Sequence, residues 1–197
     1  MILTALFSCI EVILTVTPLG YVPIGPVRAT TLHIPVILAG VLMGPSTGAV
    51  VGLVFGLSSV IMNTMAPTVT SFVFSPFYSI GEFHGGLASL LIAIGPRVLL
   101  GVIAGVLFEQ MKKRGMKLNG CLTVSAMIST FAHTSLVMLG IYVFFAVPYA
   151  TVKGVTVKAL SAMLLTVILT NGVLEMILGA MIVTAVGRVL VPSLKRK

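Results

Sequence analysis

Glycine recurs at every fourth position through the apolar stretch 40–63, at residues 40, 44, 48, 52 and 56. Residues four apart lie on one face of a helix, so Gly48, Gly52 and Gly56 predict a groove without side chains along an apolar helix. In a membrane, such a groove lets a second helix approach to backbone contact. Because Pro45 has no N–H to donate, the stretch is predicted to break after Gly44 into two helices joined by a tight turn.

The amount of charge decides where such helices can exist. Charged residues make up 8% of the 197 residues and hydrophobic residues make up 58%. A soluble domain carries about 25% charged residues, so this chain has too few to cover a surface that faces water. The sequence therefore predicts an all-α integral membrane protein.

The apolar runs predict one membrane domain, residues 1–197, with six transmembrane helices. Residues 87–94 are too short to cross a bilayer, which takes about 20 residues, so they are predicted to form an interfacial or re-entrant piece. The last run exceeds what a bilayer needs and is expected to be tilted or to project into water. The predicted spans are residues 2–17, 31–43, 47–63, 96–111, 121–146 and 159–189.

Basic residues predict the orientation of these spans. Residues 112–117 and 188–197 are rich in lysine and arginine, and such clusters mark the cytoplasmic side of a membrane protein. Both termini are then cytoplasmic, because the number of spans is even. The longer loops, residues 18–30, 64–95 and 147–158, face outward, so a binding site is expected among them and the outer helix ends.

Few residues suggest catalysis or metal binding. Cys9 and Cys121 both lie in apolar segments and are interpreted as small hydrophobic residues. Three widely separated histidines make a metal site a poor prediction, and the chain contains no H-E-x-x-H, paired-Asp, C-x-x-C or phosphate-loop motif. We predict no catalytic residue, no metal site and no cofactor in this chain. A secondary transporter, a channel or a small membrane enzyme stay as alternatives, although residues 1–95 and 96–197 show no inverted repeat.

Four segments carry a resemblance to a known family. They are LHIPVILAGVLMGPSTGAVVGLVFGLSSVI (32–61), TSFVFSPF (70–77), LIAIGPRVLLGV (91–102) and TNGVLE (170–175). With them, the chain resembles the substrate-binding S component of an energy-coupling factor (ECF) vitamin transporter. TSFVFSPF and PRVLLGV are most similar to the pantothenate branch, and carriers of hydroxymethylpyrimidine or pyridoxine are the alternatives.

Two positions depart from the pattern of this family. The first helix of the family often carries an Ala-xxx-Ala pair that docks on the coupling subunit, whereas this chain has Ala5 and Cys9. The fifth helix of the pantothenate branch carries Asn-Thr, where this chain has His133 and Thr134. The second departure keeps the alternative vitamins open.

The resemblance implies a mechanism and a set of partners. An S component binds its vitamin near the outer surface of a prokaryotic plasma membrane and delivers it by toppling against a membrane coupling subunit. Two ATPase subunits, which hold ATP and Mg²⁺, supply the energy, and no nucleic acid is involved. We predict a docking surface on small residues, with packing inside the bundle as the alternative for the glycines: Ala5, Cys9, Gly48, Gly52 and Gly56.

Arg97 is the leading candidate for ligand binding. It is predicted to lie at the outward start of the fourth span, where the helix dipole adds positive potential. A guanidinium can bind a carboxylate with two hydrogen bonds, and pantothenate is a carboxylate. The alternative is an interfacial arginine that reaches lipid headgroups or pairs with Glu82.

Other polar residues in apolar segments extend this predicted site, because ionisable groups in membranes are costly and usually functional. Asn171 and Glu175 are four apart on the last helix and share a face, which His133 on the fifth helix could also reach. Glu11 and His33 receive no ligand role. The remaining candidates are polar groups near the outer end of the third span and aromatic residues for an apolar lid: Asn63, Thr70 and Ser71, then Phe74, Tyr78 and Tyr21.

Overall fold

The computed structural model describes residues 2–24 and 27–195, and of residues 21–24, 27–29 and 195 it describes the backbone alone. Helices dominate this part of the chain, and two short antiparallel hairpins lie in the connections before α2 and α4. The helices are α1 (Ile2–Val16), α2 (His33–Met43), α3 (Pro45–Met65), α4 (Leu87–Lys113), α5 (Leu118–Lys153), α6 (Val157–Val167) and α7 (Val173–Lys195). The hairpins pair β1 (Tyr21–Ile24) with β2 (Val27–Thr30), and β3 (Ser79–Ile80) with β4 (Phe83–His84).

The length and polarity of the helices agree with the predicted membrane class. Within the described residues, four helical stretches are long and apolar enough to cross a bilayer: Pro45–Met65, Leu87–Lys113, Leu118–Lys153 and Val157–Leu194, the last of which joins α6 to α7. Helices α1 and α2 are apolar but shorter, at 15 and 11 residues. Large apolar side chains such as Leu57 and Val143 are exposed on the outside of the bundle, as lipid contact requires. The all-α membrane class is confirmed, while the count of six spans stays a prediction.

The glycine groove is filled from within the same chain. The predicted break is confirmed, because Gly44 has φ 95° between α2 and α3. A methyl group on Gly48 would lie 2.5 Å from the carbonyl oxygen of Gly101 on α4, and one on Gly52 would overlap the carbonyl oxygen of Arg97. Gly48, Gly52 and Gly56 are all buried. The docking prediction is therefore corrected for these three glycines, because α4 already occupies the groove.

Helix α4 is one continuous helix of 27 residues, which corrects the predicted re-entrant piece at residues 87–94. Pro96 lies in its interior and cannot donate to the carbonyl oxygen of Ile92, four residues earlier. The side chain of Arg97 takes that place, since its Nη1 donates to Ile92 O over 3.1 Å. Arg97 therefore lies about ten residues into the helix. The prediction that a helix N-terminus adds positive potential at Arg97 is wrong.

The boundaries of the last two predicted spans also differ. Helix α5 continues through most of the predicted loop 147–158, with a kink at Phe145 (φ −132°, ψ 23°) before the interior Pro148. The predicted last span is divided, because a π-helical turn, Ile168–Gly172, separates α6 from α7. Single π-helical turns inside helices are frequent at functional sites.

Two clusters of buried apolar side chains stabilise the bundle and leave a polar layer between them. Along α4, Ile92 belongs to one cluster, Leu100 to the other, and Arg97 lies in between. Helix α5 passes the same two clusters in the reverse order, with Ala126 in the cluster of Leu100 and Ile141 in that of Ile92. The layer between these clusters contains the candidate site.

Candidate functional site

A cavity of about 240 Å³ lies in the polar layer of the bundle. Nine of its fifteen lining residues are polar or charged, so the cavity can form several hydrogen bonds with a ligand. It is smaller than most drug-sized pockets, which occupy about 300–1,000 Å³, so it suits a small ligand. The lining residues are Thr15, Thr30, Leu32, Phe55, Ser59, Met62, Asn63, Arg97, His133, Thr134, Val137, Met138, Val167, Asn171 and Glu175.

Arg97 supplies the positive charge of the cavity. Its side chain is 8% exposed, and besides Ile92 O it donates from Nη2 to Ser59 Oγ over 3.2 Å. The guanidinium carbon lies 4.9 Å from the centre of the Phe55 ring and 5.6 Å from that of Phe74. Aromatic faces attract cations, so these rings hold the guanidinium in place. Glu82 is exposed on the β3–β4 turn, whereas Arg97 is buried in the bundle, so the predicted alternative of an interfacial arginine is wrong.

Asn63 lies on the same cavity wall and is held from both sides. Its Nδ2 donates to Ser59 O over 2.8 Å, and its Oδ1 accepts from Ser71 Oγ over 2.8 Å. Ser59 Oγ also accepts a hydrogen bond from Arg97, so Asn63 and Arg97 are both held by the same residue of α3. The orientation of the amide is therefore fixed by Ser59, one helical turn earlier, and by Ser71, eight residues later.

The opposite wall carries Glu175 and Asn171. One carboxylate oxygen of Glu175 accepts from both the backbone N–H and the Oγ1 of Thr30, each at 2.9 Å. Thr30 ends β2, so this contact ties the first hairpin to α7 at the edge of the cavity. Asn171 lies in the π-helical turn, and its Oδ1 accepts from Thr170 Oγ1 over 3.1 Å. Both residues line the cavity, as the sequence predicted.

Two neighbouring side chains of α5 present polar atoms to the cavity. His133 Nε2 and Thr134 Oγ1 are buried, and neither has a hydrogen-bond partner among the described residues. The imidazole ring of His133 lies 6.1 Å from the Phe55 ring, centre to centre. Buried polar atoms nearly always have a partner, so these two atoms are the strongest local indication of a ligand that forms hydrogen bonds.

Four predicted ligand residues lie outside the lining. Phe74 contacts the guanidinium from behind, and Ser71 supports Asn63. Thr70 Oγ1 lies 3.5 Å from Thr68 Oγ1, and Tyr78 packs on the apolar cluster around Phe72. The side chain of Tyr21, the other predicted lid residue, lies outside the described residues.

The remaining candidates are separate from the cavity. Glu11 is fully buried in α1, where its carboxylate accepts from Thr15 Oγ1 over 2.8 Å and from Ser58 Oγ over 3.2 Å. His33 is buried at the start of α2 and does not line the cavity. Ala5 and Cys9 are exposed on α1 and stay available for the predicted docking surface.

Several lining residues were absent from the sequence prediction. Phe55, Ser59 and Asn63 are spaced by four on α3, a pattern that indicates one face and could have identified the first two. Thr134 directly follows a predicted residue. No signal in the sequence pointed to Thr30, because its role depends on a contact with a residue 145 positions away.

The arrangement is that of a binding site for a small, partly polar molecule. Arg97 can bind an anionic group on one wall, while amide, imidazole and hydroxyl groups on the other walls can form hydrogen bonds. Among the described residues, no group of three His, Cys, Asp or Glu side chains could hold a metal ion.

Comparison with known proteins agrees with this geometry. A family model described as "ECF transporter, substrate-specific component" matches residues 1–187. Pantothenic acid transporter PanT of Lactococcus lactis subsp. cremoris is 36% identical over 173 residues, which are 87% of this chain and 80% of that protein. Pantothenate transporter PanT of Leuconostoc mesenteroides subsp. mesenteroides is 27% identical over 209 residues, which cover 100% of this chain and 94% of that protein.

These matches describe transport rather than catalysis, and they confirm the resemblance seen in the sequence. With its long apolar helices, the chain is a multi-pass protein of a prokaryotic plasma membrane. The chain belongs to the family of substrate-specific components of ECF transporters.

Proposed function

We propose that this chain is the pantothenate-binding subunit of an ECF uptake transporter, with the ligand in the cavity at Arg97. The observation that carries the proposal is a buried guanidinium at the wall of a small cavity. Pantothenate combines a carboxylate with an amide and two hydroxyl groups. The carboxylate matches Arg97, and the amide and hydroxyl groups match Asn171, His133, Thr134 and Asn63.

The names of the two relatives support the choice of vitamin, since both are pantothenate transporters. Hydroxymethylpyrimidine and pyridoxine, the alternatives from the sequence, carry no carboxylate and could not form the two hydrogen bonds with which a carboxylate binds a guanidinium. The guanidinium at the cavity wall therefore favours pantothenate.

The experiment is a binding titration on purified protein with pantothenate and pantothenol, which differs from it by an alcohol in place of the carboxylate. Hydrogen bonds to charged groups contribute about 1.5–3 kcal/mol, so Arg97→Gln should weaken pantothenate binding roughly ten- to a hundredfold. Pantothenol should bind weakly to both proteins and lose little further affinity in the variant. Arg188→Gln, on the exposed side of α7, is the matched control and should bind normally.

Equal losses for both ligands would mean that Arg97 supports the fold of the cavity without contacting the carboxylate. Normal pantothenate affinity in the variant would contradict the proposed binding mode. Tighter binding of pyridoxine or hydroxymethylpyrimidine than of pantothenate would contradict the proposed vitamin.

Partners follow from the family. The proposal includes six spans with both termini in the cytoplasm, a membrane coupling subunit, and two ATPase subunits that hold ATP and Mg²⁺. Toppling against the coupling subunit would carry the bound vitamin across the bilayer, and exposed Ala5 and Cys9 on α1 are the candidate docking residues. Pantothenate uptake by vesicles that contain this chain alone would contradict the dependence on partners and favour a secondary transporter.

A further inference from the structure

A second cavity, of about 540 Å³, opens at the end of the bundle opposite the two hairpins. It lies where α2 ends and where the last turns of α4 and α7 meet. Its walls are apolar and include Val41, Phe108, Val191 and Leu194. None of the residues that line the first cavity lines this one. The proposed pantothenate binding therefore gives this cavity no role.

Cationic side chains form the mouth of this cavity. Lys112 and Lys113 line it together with one carboxylate, that of Glu109. The ammonium nitrogen of Lys112 lies 5.6 Å from the centre of the Phe108 ring, a contact that holds the charge above the apolar wall. Arg114 follows directly in the chain, Lys117 lies three residues further on, and both are exposed, so the neighbourhood stays positive despite Glu109.

We propose that this cavity binds one anionic phospholipid. The phosphate would lie at Lys112 and Lys113, and an acyl chain would follow the wall formed by Phe108, Val191 and Leu194. The order of the surfaces supports this occupant, because an apolar wall beneath a cationic mouth matches an acyl chain beneath an anionic headgroup. Basic pockets between transmembrane helices commonly accept such headgroups.

Other occupants match the cavity less well. Free phosphate would leave the apolar wall uncovered, and a zwitterionic lipid would bring no net charge to the lysines. The outer surface of these helices carries exposed apolar side chains such as Val189, so the cavity opens beside the bilayer from which a lipid can enter.

The test is native mass spectrometry of the purified protein with added phosphatidylglycerol or phosphatidylcholine of identical acyl chains. Each lysine near an anionic headgroup contributes about 1 kcal/mol, so Lys112→Gln/Lys113→Gln should lower retention of phosphatidylglycerol by roughly thirtyfold and leave phosphatidylcholine unchanged. Lys153→Gln/Lys158→Gln, at the other end of the bundle, removes the same charge and should retain the anionic lipid. Equal retention by both double variants would overturn the proposal.

A second variant separates a seated lipid from one attracted only to surface charge. Leu194→Trp fills the apolar wall and keeps both lysines, so it should also reduce retention of phosphatidylglycerol. Leu57→Trp, on an exposed apolar face of α3, is its control. Normal retention in Leu194→Trp would overturn the proposed acyl site. The proposal would also be overturned if all variants retained lipid normally but assembled less well with the coupling and ATPase subunits. The cavity would then bind protein. Neither readout depends on pantothenate.

Discussion

Helix α4 contacts α3 in two contrasting ways within a few turns. Around Gly101, the two helices pack backbone against backbone, since a methyl group on Gly48 would lie 2.5 Å from the carbonyl oxygen of Gly101. One turn earlier, the backbones of the two helices are still in contact through Gly52, but the side chain of Arg97 extends away from this contact to an aromatic ring and a cavity. The first region is tightly packed, whereas the cavity in the second is lined by His133 and Thr134, whose Nε2 and Oγ1 have no hydrogen-bond partner in the described part of the chain.

The difference shows how a membrane protein can keep a charged group in position. Contacts between backbones contain no side chain that can change its rotamer, so the glycine contact is rigid. Arg97 is attached directly to this contact, because its own carbonyl oxygen faces Gly52. We infer that the glycine region positions the binding region, and four sets of variants test this relation.

The largest effect is expected for Gly101→Ala. Its methyl group would overlap the carbonyl oxygen of Gly48, and neither group can move without separating the helices. Overpacking of a tight interior costs about 1–3 kcal/mol and occasionally more, so thermal unfolding in detergent should occur at a distinctly lower temperature. Gly95→Ala in the same helix is the control, because its methyl group would meet only Leu91 Cδ1, at 3.7 Å. Equal unfolding temperatures would show that the glycine contact is not tight.

Gly52→Ala tests whether the two regions are linked. Its methyl group would press on the carbonyl oxygen of Arg97, so the guanidinium should shift and pantothenate affinity should fall by about tenfold or more, in line with the loss of roughly one charged hydrogen bond. Titration calorimetry measures this, with Gly120→Ala as a control whose methyl group would meet only Met116 Cε, at 3.6 Å. A folded Gly52→Ala protein with normal affinity would show that the cavity is independent of the glycine contact.

Glu175 is expected to have an intermediate effect. Glu175→Ala leaves the N–H and Oγ1 of Thr30 without their acceptor, which should weaken pantothenate binding by about tenfold if the hairpin forms part of the site. Glu175→Gln retains a neutral acceptor and should recover most of that loss. The measurement is a titration of each variant. If both variants bind pantothenate more weakly than the unchanged protein and to the same extent, the negative charge of Glu175 matters for binding, rather than its hydrogen bonds to Thr30.

The smallest effect is expected for Ser59→Ala. This change removes one acceptor of Arg97 and hardly alters volume, so pantothenate affinity should fall by about fivefold, equivalent to one hydrogen bond of about 1 kcal/mol. The neighbouring Ser58→Ala is the matched control, because Ser58 donates to Glu11 instead. A larger loss of affinity in Ser58→Ala than in Ser59→Ala would contradict the assigned contacts.

Much of the candidate site could be located from the sequence. Arg97, Asn171, Glu175, His133 and Asn63 were selected as polar residues in apolar segments, and all five line the cavity. That selection works because a polar group is costly in lipid and is retained where it has a use. Their role in ligand binding is still a prediction.

The errors had two sources, a local contact that the proline rule does not include and contacts between distant segments. Pro96 suggested the start of a helix, but α4 continues through it, and the neighbouring Arg97 supplies the donor that Pro96 lacks. The glycine repeat suggested an external surface, but α4 covers it. Thr30 gave no signal, because its partner Glu175 is far away in the chain.

By itself, the sequence determined that this chain is a helical membrane protein, because 8% charged residues cannot cover a water-exposed surface. It also determined the chemistry available for binding and the family, through motifs that occupy short continuous stretches. Only the tertiary structure decided which helix fills the glycine groove, which side chains support Arg97, and where the two cavities lie. The physical reason is that burial in lipid depends on local composition, whereas packing and hydrogen bonding depend on which distant segments meet.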